Sequence, residues 1–279
     1  MKLTAGSLTM RVKRRLAPIV AAWFAYTPEA LEKTIRDLGV NEGDSLLVHS
    51  GFRRTSGFSG GPSEVIDCLL RVLGPRGNLL MMSMPYRGSS QRYAAGDPVF
   101  DVVRSPSAVG LISEVFRRRE GVLRSLNPLH PLLAYGPLAA WLVADHDKTA
   151  WSCGKGSPFD RFLKLDGKFL FLDAPYRSLT FMHFVEDALR EHLPVRLYDE
   201  TPAVLRVRDA AGEERPVRQF FFSQEARDRR DFRAIEERLK REGRFKTARI
   251  GNSQLIRVDA SDVIDCARAL VAEGTGFFR

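Results

Sequence analysis

The amino-acid sequence predicts an α/β fold with a largely parallel central sheet flanked by helices. Helical and strand patterns alternate along the chain. Short apolar runs such as Leu46-Leu47-Val48 and Phe169-Leu170-Phe171-Leu172 read as strands covered on both faces. A strand–loop–helix–strand order between Asp44 and Met84 is a βαβ unit, which implies parallel strands and a right-handed crossover.

Taken in order, Pro28 to Leu38 reads as a helix capped by Thr27 and ending near Gly39. Asp44 to Ser50 is the first strand and Gly57 to Pro62 a glycine-rich loop. Ser63 to Leu73 follows as a helix with Ile66, Leu69, Leu70 and Leu73 on its apolar face, Ser63 as its cap and Gly74-Pro75 as its stop. Asn78 to Met84 is a second buried strand. Ala108 to Arg117, Pro137 to Ala144 and Asp160 to Leu165 read as helices, the last leading into the strand at Lys168. Asp173 to Leu179, with Pro175, forms the turn out of that strand. Ala203 to Val207 and Gln254 to Val258 read as strands, and Ser261 to Ala272 as a closing helix. No internal repeat or low-complexity linker interrupts the chain, so 28–279 is expected to form a single domain.

At 279 residues, 44% apolar and 28% charged, the chain can bury a substantial core and has the balance of an ordinary globular protein. Three cysteines without a CxxC spacing argue against a disulfide framework or zinc ribbon and fit a reducing, cytoplasmic setting. Cys68 and Cys266 lie in apolar helical patterns and read as buried thiols, whereas Cys153 sits on a loop where a thiol could react. A net charge of +9 invites an anionic partner. The stretch from Arg227 to Lys246 interleaves acids with its bases over a thin apolar stripe at Phe232, Ile235 and Leu239, the pattern of a salt-bridged helix. No motif for binding nucleic acid accompanies the charge. Residues 1–27 read as a basic, amphipathic extension docking on the body. Arg11 to Arg15 precede an apolar stretch, Leu16 to Tyr26, that contains Pro18 and is too short to form a transmembrane segment.

Several residues carry candidate chemistry. Gly57-Phe58-Ser59-Gly60-Gly61 matches GxSxG, but a nucleophile elbow needs its serine directly between strand and helix, and the strand ends near Ser50. The same loop, through Gly60, Gly61 and the helix that follows, suits an anion cradle. His49 ends the first strand and reads equally as a packed ring or a site residue. His130 lies in a proline-braced loop, Asn127-Pro128-Leu129-His130-Pro131, while His146 and His192 read as surface residues. His49, His130 and His183 show no metal-ligand spacing, so no metal is expected.

The strongest local signal is His183 with Glu186. Three apart on a helix that Ser178 or Thr180 can cap, they share one helical face at the mouth of a strand–turn–helix unit, where open α/β sheets bind ligands. The helix N-terminus disfavours an imidazolium and the carboxylate favours one, a balance that can leave the ring able to accept a proton. A capped helix start with a surface ion pair has the same spacing.

Together these segments resemble the aminoglycoside 3-N-acetyltransferase family, antibiotic N-acetyltransferases outside the GNAT fold. The resemblance opens with Val48-His49-Ser50-Gly51-Phe52, Gly60-Gly61-Pro62-Ser63-Glu64-Val65-Ile66-Asp67 and Leu73-Gly74-Pro75-Arg76-Gly77. It continues in order through Arg124-Ser125, Asn127-Pro128, Gly156-Ser157-Pro158 and Leu165-Asp166-Gly167-Lys168, and closes with Tyr176, Thr180, His183 and Glu186. It runs from about Leu31 to Ala272 and implies a three-layer fold.

The resemblance implies acetyl transfer from acetyl-CoA to a small-molecule amine acceptor, an aminoglycoside or another amino sugar. His183 would be the general base and Glu186 its orienting partner. His49, Ser50, Gly51, Phe52, Gly60, Gly61, Arg124 and Ser125 would hold the CoA moiety, and Tyr176, Thr180, Asp187 and His130 would face the acceptor. A homodimer is the default oligomer. The chain departs from the family pattern where Asn127 replaces a histidine, where Leu172-Asp173 replaces Leu-Gly, and at Arg177 and Leu179. Those departures leave open a repurposed CoA-binding relative; the charge alone would suggest a basic nucleic-acid-binding protein.

Overall fold

A computed structural model describes residues 17–53 and 55–279. The basic run Arg11 to Arg15 of the expected extension lies outside the described residues. Positions 17–23 are helical, yet Ile19 and Trp23 face outward, with Trp23 84% exposed. Docking of this segment is instead through Tyr26, whose N–H donates to the Gly57 carbonyl and whose carbonyl accepts from Ser59 N–H.

The expected βαβ unit is present. Helix α1 (Pro28–Asp37), with Thr27 Oγ1 accepting from Ala30 N–H at 3.3 Å, precedes strand β1 (Ser45–Ser50). Helix α2 (Pro62–Leu73) and strand β2 (Asn78–Met82) complete the unit, with β1 and β2 parallel. Gly61, not Ser63, is the N-cap of α2, because Pro62 occupies the first helical position, where its missing N–H costs nothing.

Further along lie α3 (Ser90–Ala95), β3 (Val99–Asp101), α4 (Leu111–Arg117), β4 (Leu123–Arg124), β5 (Leu132–Tyr135) and α5 (Ala139–Val143). Then come α6 (Pro158–Lys164), β6 (Lys168–Leu172), α7 (Met182–Ala188), β7 (Ala203–Arg208) and β8 (Glu214–Gln219). The chain closes with α8 (Gln224–Arg229), α9 (Arg233–Arg241), β9 (Lys246–Ile250), β10 (Ser253–Asp259) and α10 (Ala260–Ala272).

The main sheet runs β4-β5-β2-β1-β6-β10-β9. It is parallel only at its centre, where β1 pairs with β2 and β6; β5 on one side and β10 on the other are antiparallel. The expected largely parallel sheet is therefore only partly so, because β4-β5 and β9-β10 pair antiparallel at its two edges. Side chains alternate across the sheet as a pleat requires. Leu46 and Val48 pack with α1, α2 and α4, whereas Leu47, Phe169 and Phe171 pack with α5, α6, α7, α9 and α10. Helices thus cover both faces. A second sheet, β3-β7-β8, has its own small core of Phe100, Leu129, Leu205, Val207 and Val217.

The basic stretch from Arg227 to Lys246 is not one helix. Arg230 breaks it between α8 and α9, and Lys246 already begins β9, although Ile235 and Leu239 are fully buried as the apolar stripe required.

Candidate active site

The carboxyl ends of the three parallel strands open onto a cavity of about 510 Å3. His49, Ser50 and Gly51 come from the end of β1, Met82 and Met84 from β2 and beyond, and Asp173 to Ser178 with Thr180 from the turn after β6. Tyr86, Arg87 and Gly110 close it from the opposite wall. The alternation that buries Leu47 turns His49 to the same side, where its ring stacks on Phe171 at 5.0 Å. His49 Nε2 and Ser50 Oγ are buried with no partner, and burial holds the His49 ring down to about 4.

Glycine is required at position 51. A Cβ there would lie 2.7 Å from the Asp173 carbonyl, and Gly51 N–H donates to the Leu172 carbonyl at 2.8 Å, clamping the two strand exits together. Asp173 has φ +55, the left-handed region that favours the glycine of the family pattern. Its carboxylate compensates locally, accepting from Arg53 Nη2 at 2.5 Å, Ser253 Oγ at 3.0 Å and Gln254 N–H at 3.0 Å.

A single 3-10 turn, Tyr176–Ser178, leads from β6 towards α7, and Phe181, with no side-chain cap, precedes it. Neither Ser178 nor Thr180 caps α7; Ser178 Oγ donates to the Pro175 carbonyl instead. The Thr180 carbonyl accepts from His183 N–H at 3.0 Å, so the cavity wall leads directly to the histidine. His183 Nδ1 and Glu186 Oε2 are 2.8 Å apart, with Glu186 fully buried and the ring 22% exposed. Glu186 Oε1 accepts from Arg230 Nε at 2.5 Å. Phe222 and Phe232 pack against the imidazole, at 4.6 and 6.4 Å.

Beside this trio lies an uncharged network. His130, tilted against His183 at 5.7 Å, bonds Ser152 Oγ through Nδ1 at 2.6 Å. His146 Nε2 lies 2.7 Å from the Ser152 carbonyl, which can only accept, so Nε2 carries the proton and Nδ1 accepts from Ser125 Oγ at 2.8 Å. Asn127 spends its whole amide: Nδ2 donates to His146 O and Gln219 Oε1, and Oδ1 accepts from Leu129 and His130 N–H. Burial holds His146 down to about 4 and His130 well below the usual range, so both rings stay neutral.

Several sequence expectations need correcting. His146 is fully buried, not on the surface. Cys153 is buried and its thiol is pushed up, so it is not a reactive loop thiol. Ser125 is 1% exposed; its hydroxyl donates to His146 and accepts from Leu132 N–H at 2.8 Å. Arg124 lies over Phe100 and donates to the Ser83, Val102 and Ser105 carbonyls, so it ties loops together and does not face the cavity. In the Gly60-Gly61 loop one of the N–H groups is already taken, since Gly61 N–H donates to Glu64 Oε2 at 3.0 Å. Phe52 packs on the α2-side core, and Ser59 sits in a loop bridged to the Tyr26 segment, far from elbow geometry. Tyr176 packs between Phe171 and Phe245, with its hydroxyl buried, and Arg177 lines a separate groove beside Glu236 and Lys240. Asp187 accepts from Tyr198 OH at 2.9 Å, and burial raises its carboxyl. Arg230 was hidden in a charge run and Arg87 in the short turn Tyr86-Arg87-Gly88-Ser89; the aromatic flanks Phe222 and Phe232 were the one signal for Arg230. Among the described residues, no group of three or more His, Cys, Asp or Glu is placed to hold a metal ion. No described helix is long and apolar enough to cross a membrane.

A three-layer α/β protein with a cavity at its parallel strand ends and a histidine–carboxylate pair on the adjoining helix is the class that fold and site define. Residues 47–272 match the family model for aminoglycoside 3-N-acetyltransferase, and the chain belongs to that family. It is 32% identical over 173 residues to aminoglycoside N(3)-acetyltransferase III of Acinetobacter baumannii, a match covering 58% of this chain and 60% of that protein. The chain thus spans about 60% of the length of such relatives. A longer match, 27% identical and covering 86% of this chain and 92% of the relative, is to aminoglycoside N(3)-acetyltransferase IX of Micromonospora chalcea. Among solved structures, AAC-IIIb in binary complex with CoASH superposes with a TM-score of 0.73 at 25% identity, covering 90% of this chain and 98% of that one. The crystal structure of AAC(3)-Xa gives 0.79 at 24% identity over 94% and 99%, a likeness of fold.

Proposed function

We propose that this protein is an acetyl-CoA-dependent N-acetyltransferase acting on an amine of an aminoglycoside or another amino sugar. The observation that carries this is the His183–Glu186 hydrogen bond, one backbone hydrogen bond away from Thr180, which lines the cavity at the strand ends. The CoA-bound relative of the same fold and the family's name support the choice of donor and acceptor.

Acetyl-CoA supplies the thioester carbonyl. His49, Ser50 and Gly51 fit its arm, with Arg87 at the rim for phosphate. Glu186 accepts the Nδ1 proton of His183 and so leaves Nε2 unprotonated to take a proton from the acceptor ammonium. The freed amine forms its bond to the carbonyl carbon as the carbon–sulfur bond breaks, and the thiol departs with a proton. A positioned base of this kind contributes about 10²–10⁴-fold. Thr180, whose carbonyl accepts from His183 N–H, and His130, whose ring tilts against the imidazole, would face the acceptor.

One observation bears on the acceptor. Two carboxylates of this region already hold cations, Glu186 with Arg230 and Asp173 with Arg53, and Asp187 accepts from Tyr198 OH. This favours an amino sugar with fewer positive charges than a typical aminoglycoside. The test is thiol release from acetyl-CoA with a panel of aminoglycosides and neutral or acidic amino sugars. Release with at least one amine, largely lost in His183→Ala, is expected. CoA binding with no amine-dependent release, and no change in His183→Ala, would leave a non-catalytic CoA-binding relative.

A further inference from the structure

We infer that Arg230 is a positioning residue, the third member of a His183–Glu186–Arg230 relay that keeps the dyad ready to accept a proton; this rests on the acetyl-transfer reading. The guanidinium reaches Glu186 from 44 residues away, with Nε 2.5 Å from Oε1. Its Cζ sits 4.8 Å from the Phe222 centroid and 5.6 Å from that of Phe232, the same two rings that pack on His183. Among the described residues, Glu186 is its one carboxylate partner, and its Nη2 is buried without any. The C-terminus holds the segment in place: Arg230 bridges Phe278, Asp231 N–H donates to the Phe277 carbonyl, and Arg279 N–H donates to the Arg229 carbonyl.

The need for a cation follows from burial. A fully buried carboxylate beside an imidazole binds a proton, its own or the ring's, unless a positive charge offsets it. The other groups facing the dyad do not supply that charge. His130 is kept neutral, Cys153 stays a thiol, and Asp187 shares Tyr198, with Arg190 turned to Asp187 and the Trp151 face. Arg230 therefore lets Glu186 stay ionised and orient His183 without holding the dyad protonated.

Arg230→Met, Arg230→Lys, Glu186→Gln and the Glu186→Gln/Arg230→Met double variant test this. Arg230→Met is expected to lower kcat by about 10–100-fold, with acceptor KM and CoA affinity within about twofold. The acid limb of its pH profile should move to higher pH, and Arg230→Lys should recover part of both effects. Adding Arg230→Met to Glu186→Gln should cost little more. A second readout needs no turnover: histidine NMR should show the His183 ring titrating at higher pH in Arg230→Met than in wild type. If no acceptor is found, the acetyl-transfer reading fails while this titration still decides the relay. Unchanged titration and pH profile, or losses that simply multiply in the double variant, would overturn it; so would an Arg230→Met protein that loses CoA binding along with kcat.

Discussion

Two buried polar networks meet beside the cavity and solve burial in opposite ways. In one, His183, Glu186 and Arg230 keep charge in the interior by pairing it, and the ring stays partly open to solvent. In the other, His130, Ser152, His146, Ser125 and Asn127 carry no charge; desolvation holds the histidines neutral, and nearly every polar atom is spent within the network. The first arrangement can take up and release a proton. The second can only hold its neighbours in place, the His130 ring among them. Sequence alone offers the same residue type in both, and what separates them is whether a carboxylate and a cation are within reach.

The comparison breaks most directly at the charged network. His183→Ala should lower kcat/KM for the best acceptor by about 10²–10⁴-fold, with thermal stability close to wild type, because the ring is partly exposed. If thiol release survived at wild-type rate, the division of labour between the two networks would be wrong. The reverse pattern is expected for His146→Gln. Loss of a fully buried ring with two satisfied nitrogens should cost about 2–4 kcal/mol in denaturant melts, while the folded fraction keeps its turnover rate.

Acid exposes the uncharged network next. His146 and His49 are held at about 4 in the fold against 6.5 when unfolded, so the unfolded chain binds more protons between those values. Stability is therefore full above about pH 6.5 and falls as pH drops towards 4, by up to about 3 kcal/mol per ring. Melts across this range should show a steep dependence in wild type and a shallower one in His146→Gln. Equal slopes would mean that His146 is not the neutral, desolvated group its bonding implies.

How much of this was legible varied with the physics. Helices whose apolar face and end signals coincide, such as α2 and α10, fall within a few residues of where the sequence puts them. The parallel pair β1–β2 was legible from its βαβ pattern, but the antiparallel edges were not: nothing in Leu132-Leu133-Ala134-Tyr135 marks it as a strand that runs against β2. His183 and Glu186 could be read because helical spacing brings them together within one turn. Arg230 could not, since its neighbours Arg227, Arg229 and Arg233 make it one charge among many, and only the fold carries it to Glu186. Asn127 looked like a lost histidine; its fully bonded amide makes it a bracket for the His130 backbone. Gly60-Gly61 looked open because sequence does not reveal that Glu64 folds back on the helix start.

The smallest expected effect tests where the two networks touch. Ser152 contributes two separate atoms. Its hydroxyl bonds His130 Nδ1, and its carbonyl accepts from His146. Ser152→Ala removes only the first, so His146 should keep its place and the acid dependence of stability should persist. His130 Nδ1 is then left buried without a partner, a loss of about 1–2 kcal/mol in denaturant melts. Because the His130 ring packs against His183 on the acceptor side, its loosening should raise acceptor KM a few-fold and leave CoA affinity unchanged. Were kcat to fall as steeply as in His183→Ala, the His130 ring would be holding the base itself in place, and the division between the two networks would not stand.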